Sequence, residues 1–306
     1  MNANVRANRT NHVCVCICTY KRPRFLKRLL EELGAQETNG LFTYSIVVVD
    51  NDHVQSAREV VSDFTATSSV PILYCVEPRQ NIPLARNKAV GNADGEFVAF
   101  IDDDEFPTKC WLLTLFKACN ESGVDGVQGP VKRYFDEKPP NWIVKGNFYE
   151  RPTYPTGLVI DWTKGRTNNV LVRTRIFPAD AQPFRQEFLT GEDQDFFRRM
   201  IEKGHVFIWC DEAVVYEVVP PLRWKRTFIL KRALLQGTAS TAHQTFGARA
   251  IAKSIVAVPV YTAALPVVLF LGHHRFMLIS MKLFHHIGAI LSLLGVKAIK
   301  EPYVTD

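Results

Sequence analysis

The stretch Phe97-Val98-Ala99-Phe100-Ile101-Asp102-Asp103-Asp104-Glu105 constrains this chain more than any other. Five apolar, strand-forming residues run straight into four consecutive acids. Like charges repel, and each carboxylate costs free energy to withdraw from water, so no fold gains stability from gathering four at a strand end. A divalent cation with a phosphate beside it would neutralise them. Carboxylate oxygens suit Mg²⁺ or Mn²⁺, ions that bind through one or two protein carboxylates plus substrate phosphates. In an extended segment Asp102 and Asp104 point to the same side, so one could orient a nucleotide while the other holds the metal. The plainer alternative is a solvated acidic turn ahead of a helix N-terminus, where carboxylates are favoured in any case.

The surrounding pattern favours a strand tip in a layered α/β sheet. Val13 to Cys18 reads as a buried strand, followed by a helix on Phe25, Leu26, Leu29, Leu30 and Leu33, with Pro23 in its first turn and Gly34 at its end. Strands at Tyr44–Val49 and Pro71–Val76 alternate with helices from about Val54 to Phe64 and over Leu84–Val90, and a further helix lies near Cys110–Cys119. This alternation predicts βαβ units and a mostly parallel sheet with right-handed crossovers. Three of the strand tips are polar at their C-terminal ends, the edge at which open α/β sheets bind ligands. Neither Gly-x-Gly-x-x-Gly after the first strand nor Gly-x-x-x-x-Gly-Lys-Ser/Thr occurs, so a dinucleotide site and a P-loop are both disfavoured.

At 306 residues the chain can hold one large domain and an appendage. Its net charge of +6 is unevenly placed. Basic residues gather between Arg223 and Arg249, which favours phosphates or a membrane surface as partner on the C-terminal side. Nucleic acid is not expected, because no basic stripe interleaved with aromatics is present. Cys14, Cys16 and Cys18 alternate along one strand and share a face, so they read as small buried residues rather than disulfide or zinc partners. Met1 to Asn11 is polar and predicts no signal peptide.

From Val131 to Trp162 the texture changes to Pro, Trp, Tyr and Gly, which reads as a long ordered loop or lid. Its aromatics, Trp142 among them, would either stack on sugar rings or plug the loop onto the core. A strand near Val170–Arg173 follows. Gly191-Glu192-Asp193-Gln194-Asp195 then opens a helix holding Phe196, Phe197, Met200 and Ile201. This second acidic cluster either complements the helix dipole or places a general base at a site mouth.

Taken in order, Cys18-Thr19-Tyr20-Lys21-Arg22-Pro23, Val48-Val49-Asp50-Asn51-Asp52, Asn81-Ile82-Pro83-Leu84-Ala85-Arg86-Asn87, Ile101-Asp102-Asp103-Asp104-Glu105 and Gly191-Glu192-Asp193-Gln194-Asp195 resemble the motifs of family 2 glycosyltransferases. The likeness runs from about Val13 to Gly237 and is similar in wording to bacterial transferases of the succinoglycan exopolysaccharide type. It implies a GT-A fold, a Rossmann-like, mostly parallel sheet flanked by helices, over residues 13–220 behind a polar tail at 1–12. It also implies an inverting enzyme that takes a sugar from a nucleotide-sugar donor, UDP being the expected nucleotide, to a lipid-linked or glycan acceptor.

By the same resemblance Thr19, Tyr20, Arg22, Asp50, Asp52, Arg79, Asn81, Arg86, Asp102 and Asp103 would bind the donor. Asp104 and Asp102 would hold a divalent cation, Mn²⁺ or Mg²⁺. Asp193 would be the catalytic base with Glu192 its neighbour. Many relatives carry a His after the last sheet strand; here Val215-Tyr216-Glu217-Val218 stands there, so Glu217 is either a substitute ligand or an unrelated acid. His205 reads as structural.

The C-terminal third divides on pattern into a basic helical connector, 221–250, and membrane-associating helices, 251–306. Arg223 and Arg226 would face phosphates or acceptor, or belong to a solvated basic face. Ser254 to Gly272 is uncharged and long enough to span a bilayer, with kinks at Pro259 and Pro266. Phe276 to Gly295 is amphipathic. Arg249 and Lys253 before the pair and Lys297 and Lys300 after it predict a hairpin or re-entrant pair on the cytoplasmic face of a bacterial inner membrane, against the alternative of a soluble appendage or dimer interface. His273, His274, His285 and His286 read as interfacial anchors rather than metal ligands. Two other functions fit parts of the pattern. A nucleotidyltransferase would use the strand-end acids but leave Glu192 and Asp193 without a role, and an inactive membrane-bound scaffold would have no use for either cluster.

Overall fold

The computed structural model describes residues 11–177, 182–188, 191–241 and 247–296. Most of the tail at 1–12 lies outside the described residues, as do Lys297 and Lys300. The chain divides into two units, one of Met1–Lys132 with Arg151–Glu217 and one of Arg133–Glu150 with Val218–Asp306. In chain order the elements are β1 (His12–Thr19), α1 (Pro23–Gly34), β2 (Thr43–Asp50), α2 (Arg58–Thr67), β3 (Ile72–Val76), α3 (Ile82–Asn92), β4 (Phe97–Ile101), β5 (Glu105–Pro107), α4 (Trp111–Ser122), β6 (Gly126–Gln128), β7 (Val131–Tyr134), α5 (Asn141–Lys145), β8 (Asn169–Arg173), α6 (Glu192–Glu202), β9 (Phe207–Trp209), β10 (Val215–Val218), α7 (Arg226–Ser240), α8 (Ala248–Phe270) and α9 (His273–Leu293).

The first unit is built on a seven-stranded sheet in the order β3-β2-β1-β4-β8-β6-β9. The pairs β1–β2, β2–β3, β1–β4 and β6–β9 are parallel, and β8 runs antiparallel to both neighbours. Strand β1 is buried on both faces, as a central strand of such a sheet must be. Val13, Val15 and Ile17 enter the core shared with α1 and α4, while Cys14 and Cys16 face the core shared with α3 and α6. All seven cysteines are free thiols. Burial first, opposed by Arg86, pushes the Cys18 thiol up to about 12.

Register carries the polar tips to one edge. Thr19 pairs with Asp50 and Asp50 with Val76. Cys16 pairs with Phe100, which brings Asp102 level with Cys18. Helix α2 begins at Arg58 rather than near Val54. The carboxylates of Asp50 and Asp52 hold residues 52–57 in a turn by accepting the amides of Asp52, Val54 and Ala57.

Strand β5, too short to stand out in the sequence, pairs antiparallel with β10. Their register sets Glu217 directly opposite Glu105, and both side chains are buried. Like charges facing each other across a ladder are destabilising. Arg151 relieves the conflict through an ion pair with Glu217, and the Asn168 amide donates to Glu105 at 2.9 Å.

The second unit gathers the aromatic segment 133–150 with the C-terminal helices. Ile143, Ile229 and Met277 are its buried centre, surrounded by Phe135, Trp142, Phe148, Tyr149, Trp224, Phe228 and Phe276. The stretch 221–250 contributes α7, which packs along α9. A Cβ on Gly237 would overlap the His285 carbonyl oxygen, and one on Gly288 would overlap that of Leu234. Thr241 and Ser292 share a hydrogen bond of 2.7 Å further along. Close backbone approach through small residues is what permits this contact. Helices α8 and α9 are both long and apolar enough to cross a membrane, with mean hydropathies of 1.7 and 1.5.

Two stability consequences follow. Arg151 keeps 34% of its side chain exposed, so Arg151→Met lowers stability by about 2 kcal/mol, less than breaking a fully buried pair costs. Adding Glu217→Gln recovers most of that loss in thermal unfolding of the purified protein. Gly237→Leu forces α7 off α9 and lowers the midpoint further, at a cost of about 3 kcal/mol for overpacking.

Candidate active site

The acids after β4 do not float in solvent. Asp103 accepts the Thr19 hydroxyl at 2.8 Å and the Arg22 guanidinium at 3.2 Å, and Arg22 also reaches Asp104 at 3.4 Å. Asp102 keeps 45% of its side chain exposed and lies 3.7 Å from Arg86. Arg86 makes a second ion pair with Glu192 at the start of α6. Glu105 turns inward, accepting the Asp102 amide at 3.2 Å as well as Asn168. Among the described residues, the carboxylates of Asp102, Asp103, Asp104, Glu105, Glu192 and Glu217 thus gather around Arg22, Arg86 and Arg151.

Burial first, and the neighbouring charges after it, shift the acids of this group. Withdrawal from water, reinforced by Asp104 and Glu217 against the pull of Arg86 and Arg151, raises the Asp102 carboxyl to about 6. Burial, with Asp104 and Asp102 nearby, lifts Asp103 to about 7 despite Arg22 and the Thr19 hydrogen bond. Burial also raises Glu105 well above the usual carboxylate range, and Glu192 above it against Arg86. For Arg86 the order reverses: burial alone would lower its pKa, and the charges of Glu192, Asp102 and Asp193 together raise it.

Among the described residues, no three His, Cys, Asp or Glu side chains are grouped so as to cage a metal. The donor set still fits a hard divalent cation. Such an ion needs only one or two carboxylates when a diphosphate supplies further oxygens, and Asp102 offers the open oxygens beside Asp104. Glu217 already has Arg151 as its cation.

The helix at the second acidic cluster separates its carboxylates by environment. Glu192 is tied to Arg86, and the buried Asp195 to Arg199 at 2.8 Å, Arg198 at 3.2 Å and Arg185 at 3.6 Å. Half-buried Asp193 accepts the neighbouring Gln194 amide and, among the described residues, has no ion pair. Helix α6 starts here because Gly191, at φ 82°, turns the chain where a side chain would be strained.

The remaining predicted residues divide by what the structure gives them to do. Asp50, fully buried, accepts the Asp52 and Ala57 amides and the Tyr74 hydroxyl at 2.9 Å, so it anchors the loop that follows β2. Asp52 is buried in the same loop beside His53. Asn51 donates to the carbonyls of Glu77 and Arg79 and accepts the Asn81 amide, stitching the loops after β2 and β3 together. Asn81 caps α3 through Leu84 at 3.0 Å, which sets the helix that carries Arg86. Arg79 projects outward beside Glu77. Tyr20 is half-buried, with Lys21 over its ring.

Arg223 and Trp142 belong to the second unit. Trp142 packs edge-on against Phe148 at 5.2 Å and His273 at 4.8 Å, and so plugs its own unit. Arg223 is buried within the turn Pro221–Trp224, whereas Arg226 is exposed on α7, so the two do not share a helical face. Sequence reading missed Arg151, Asn168 and Tyr74. Arg151 stands between a lid-like stretch and a proline with no periodicity to mark it, and its need arises only from the β5–β10 register.

The description "Glycosyl transferase family 2" matches residues 14–189. Succinoglycan biosynthesis protein ExoM of Rhizobium meliloti (strain 1021) is 32% identical over 302 residues, 96% of each chain. Among solved structures, mannosyltransferase PcManGT from Pyrobaculum calidifontis, in complex with GDP-Man and Mn²⁺, superposes with a TM-score of 0.60 at 17% identity over 94% of this chain and 88% of that one. S. aureus TarS superposes at 0.53 with 16% identity over 91% of this chain, which spans 55% of the TarS chain. The TarS fragment 1–349 with UDP-GlcNAc gives 0.53 at 14% identity, covering 96% of this chain and 95% of the fragment. At these identities the structures show the fold alone, which is GT-A. With the family's description running over more than half its length and a relative alike from end to end, this chain belongs to glycosyltransferase family 2.

Proposed function

We propose that this chain is an inverting, metal-dependent transferase that moves a sugar from a nucleotide-sugar, a UDP-sugar foremost, onto a hydroxyl of a lipid-linked or glycan acceptor. The reading extends to a place in surface polysaccharide assembly, supported by the likeness to a protein named for succinoglycan biosynthesis. The observation that carries it is the division of labour among carboxylates at one sheet edge. Those after β4 face Arg22, Arg86 and Arg151 and hold negative charge in excess. In α6, among the described residues, Asp193 is the acid that makes no ion pair.

In this reading Asp193 takes the proton from the acceptor hydroxyl, whose oxygen attacks the anomeric carbon from the face opposite the leaving diphosphate. Arg86, fixed by Glu192 and Asp102, orients the donor from α3. Thr19, Tyr20 and Arg22 line the nucleotide pocket, and Asp50 acts through the loop it anchors. When bound by Asp104 and Asp102, a divalent cation supplies positive charge against the leaving diphosphate. A nucleotidyltransferase would leave the α6 cluster without a task. A scaffold would not need carboxylates held at this cost.

The helices α8 and α9 support attachment of the second unit to a membrane, on the cytoplasmic face where an inner-membrane acceptor is reached. Solution experiments test the chemistry directly. Asp193→Asn removes transfer by at least about 10³-fold, in keeping with loss of a general base, while UDP binding measured by calorimetry stays within about twofold. Chelation with EDTA abolishes transfer, and added Mn²⁺ or Mg²⁺ restores it. Transfer that survives both treatments overturns the mechanism, and absence of any nucleotide binding overturns the enzyme class.

A further inference from the structure

The three C-terminal helices hold information about how the chain meets a membrane. Helix α9 has α7 on one side and α8 on the other. Gly237 meets His285 and Thr241 meets Ser292, so residue number rises together along α7 and α9, and the two run parallel. Helix α8 runs antiparallel: Ser254 bonds to His286 at 3.0 Å, and Tyr261 stacks on the same imidazole. The α8–α9 turn at Gly272, φ 107°, therefore lies at the N-terminal end of α7. There His273 packs on Trp142, in the cluster that also holds Phe135, Phe148 and Trp224.

That placement conflicts with a hairpin crossing the bilayer. If Ala248 and Gly272 lay on opposite sides, α7 would have to accompany α9 through the hydrocarbon. Lys231 and Arg232 are exposed on α7, and each charge at mid-membrane costs about 3 kcal/mol or more. The outer face of α8 has the opposite character. Val256, Val260, Val267 and Phe270 recur on one stripe and are exposed, Phe270 by 89%. Arg249 and Lys253 stand exposed in the first turns of the same helix.

Resting on the membrane reading above, we propose that α8 lies along one leaflet of an anionic bilayer. Its apolar stripe is sunk among the acyl chains, its basic first turns are among the phosphate headgroups, and neither α8 nor α9 spans. A helix of 23 residues is about 35 Å long, and laid flat it gives the unit a wide footing. The observations that support this occupant are the basic residues bordering the stripe and the turn held inside the protein's own aromatic cluster.

Topology labelling tests it in membrane vesicles of known sidedness from cells expressing the full chain. Arg249→Cys in the first turn of α8 and Arg275→Cys in the first turn of α9, just past the α8–α9 turn, both at exposed positions, are made singly and treated with a membrane-impermeant maleimide. Native Cys110, exposed on the first unit, marks that unit's side. Both engineered thiols label from the side that labels Cys110. Labelling of the two from opposite sides overturns the proposal and leaves membrane attachment standing.

A second measurement separates the two readings. Purified chain floats with vesicles containing phosphatidylglycerol, and Val260→Glu with Phe270→Glu lowers that partition by about tenfold or more. Failure of the native chain to bind such vesicles, with a dimer in solution covering the stripe instead, overturns the membrane reading itself.

Discussion

Crowding of like charge at the end of β4 is the constraint on which the first unit depends. Asp102 to Glu105 cannot be spread out, because the strand that precedes them is buried on both faces and its register with β1 is fixed. The fold answers with arginines drawn from distant parts of the chain. Arg22 comes from the entry to α1, Arg86 from α3 and Arg151 from the segment returning out of the second unit. Burying a pair of charges rarely stabilises a fold on balance. A site with fewer guanidiniums than carboxylates is therefore better explained by what it binds than by what it contributes to folding. Burial first, with the neighbouring carboxylates, is what raises Asp102 and Asp103 here, and perturbed acids of this kind cluster at functional sites.

The second unit solves a different problem by a different route. Ile229 of α7 and Met277 of α9 meet in its buried apolar centre. Further along, α7 and α9 approach closely through the absence of side chains at Gly237 and Gly288, with the Thr241–Ser292 hydrogen bond beyond them. Interfaces of this kind hold helices together whether the surroundings are water or lipid. That suits a unit whose neighbouring helix α8 offers an apolar stripe outward.

Much of the first unit was legible in the sequence, and the reasons are physical. Strands β1, β2, β3, β4 and β8 are runs of Val, Ile, Phe and Cys bounded by polar tips, and α1 carries its proline and glycine where caps belong. What could not be read depends on pairing. Strands β5, β6, β7, β9 and β10 have three or four residues each and exist only because a neighbour supplies hydrogen bonds. The opposition of Glu105 and Glu217 is invisible until β5 meets β10, and with it the role of Arg151. The aromatic stretch was ambiguous for the same reason: Trp142 could be a sugar platform or a plug until Phe148 and His273 closed on it.

The acidic clusters show how one residue type is given separate tasks. Glu192, Asp193 and Asp195 lie within a single turn of helix, near enough to share the dipole at its N-terminus. Helical spacing then sends them to different surroundings. Asp195 turns toward Arg185, Arg198 and Arg199 and is spent on structure. Glu192 turns toward Arg86 and is spent on holding that guanidinium beside Asp102. Asp193, half-buried, accepts the Gln194 amide and makes no ion pair among the described residues. The arginines around α6 thus engage the acids on either side of Asp193, which is the placement on which the proposed role of Asp193 as base rests.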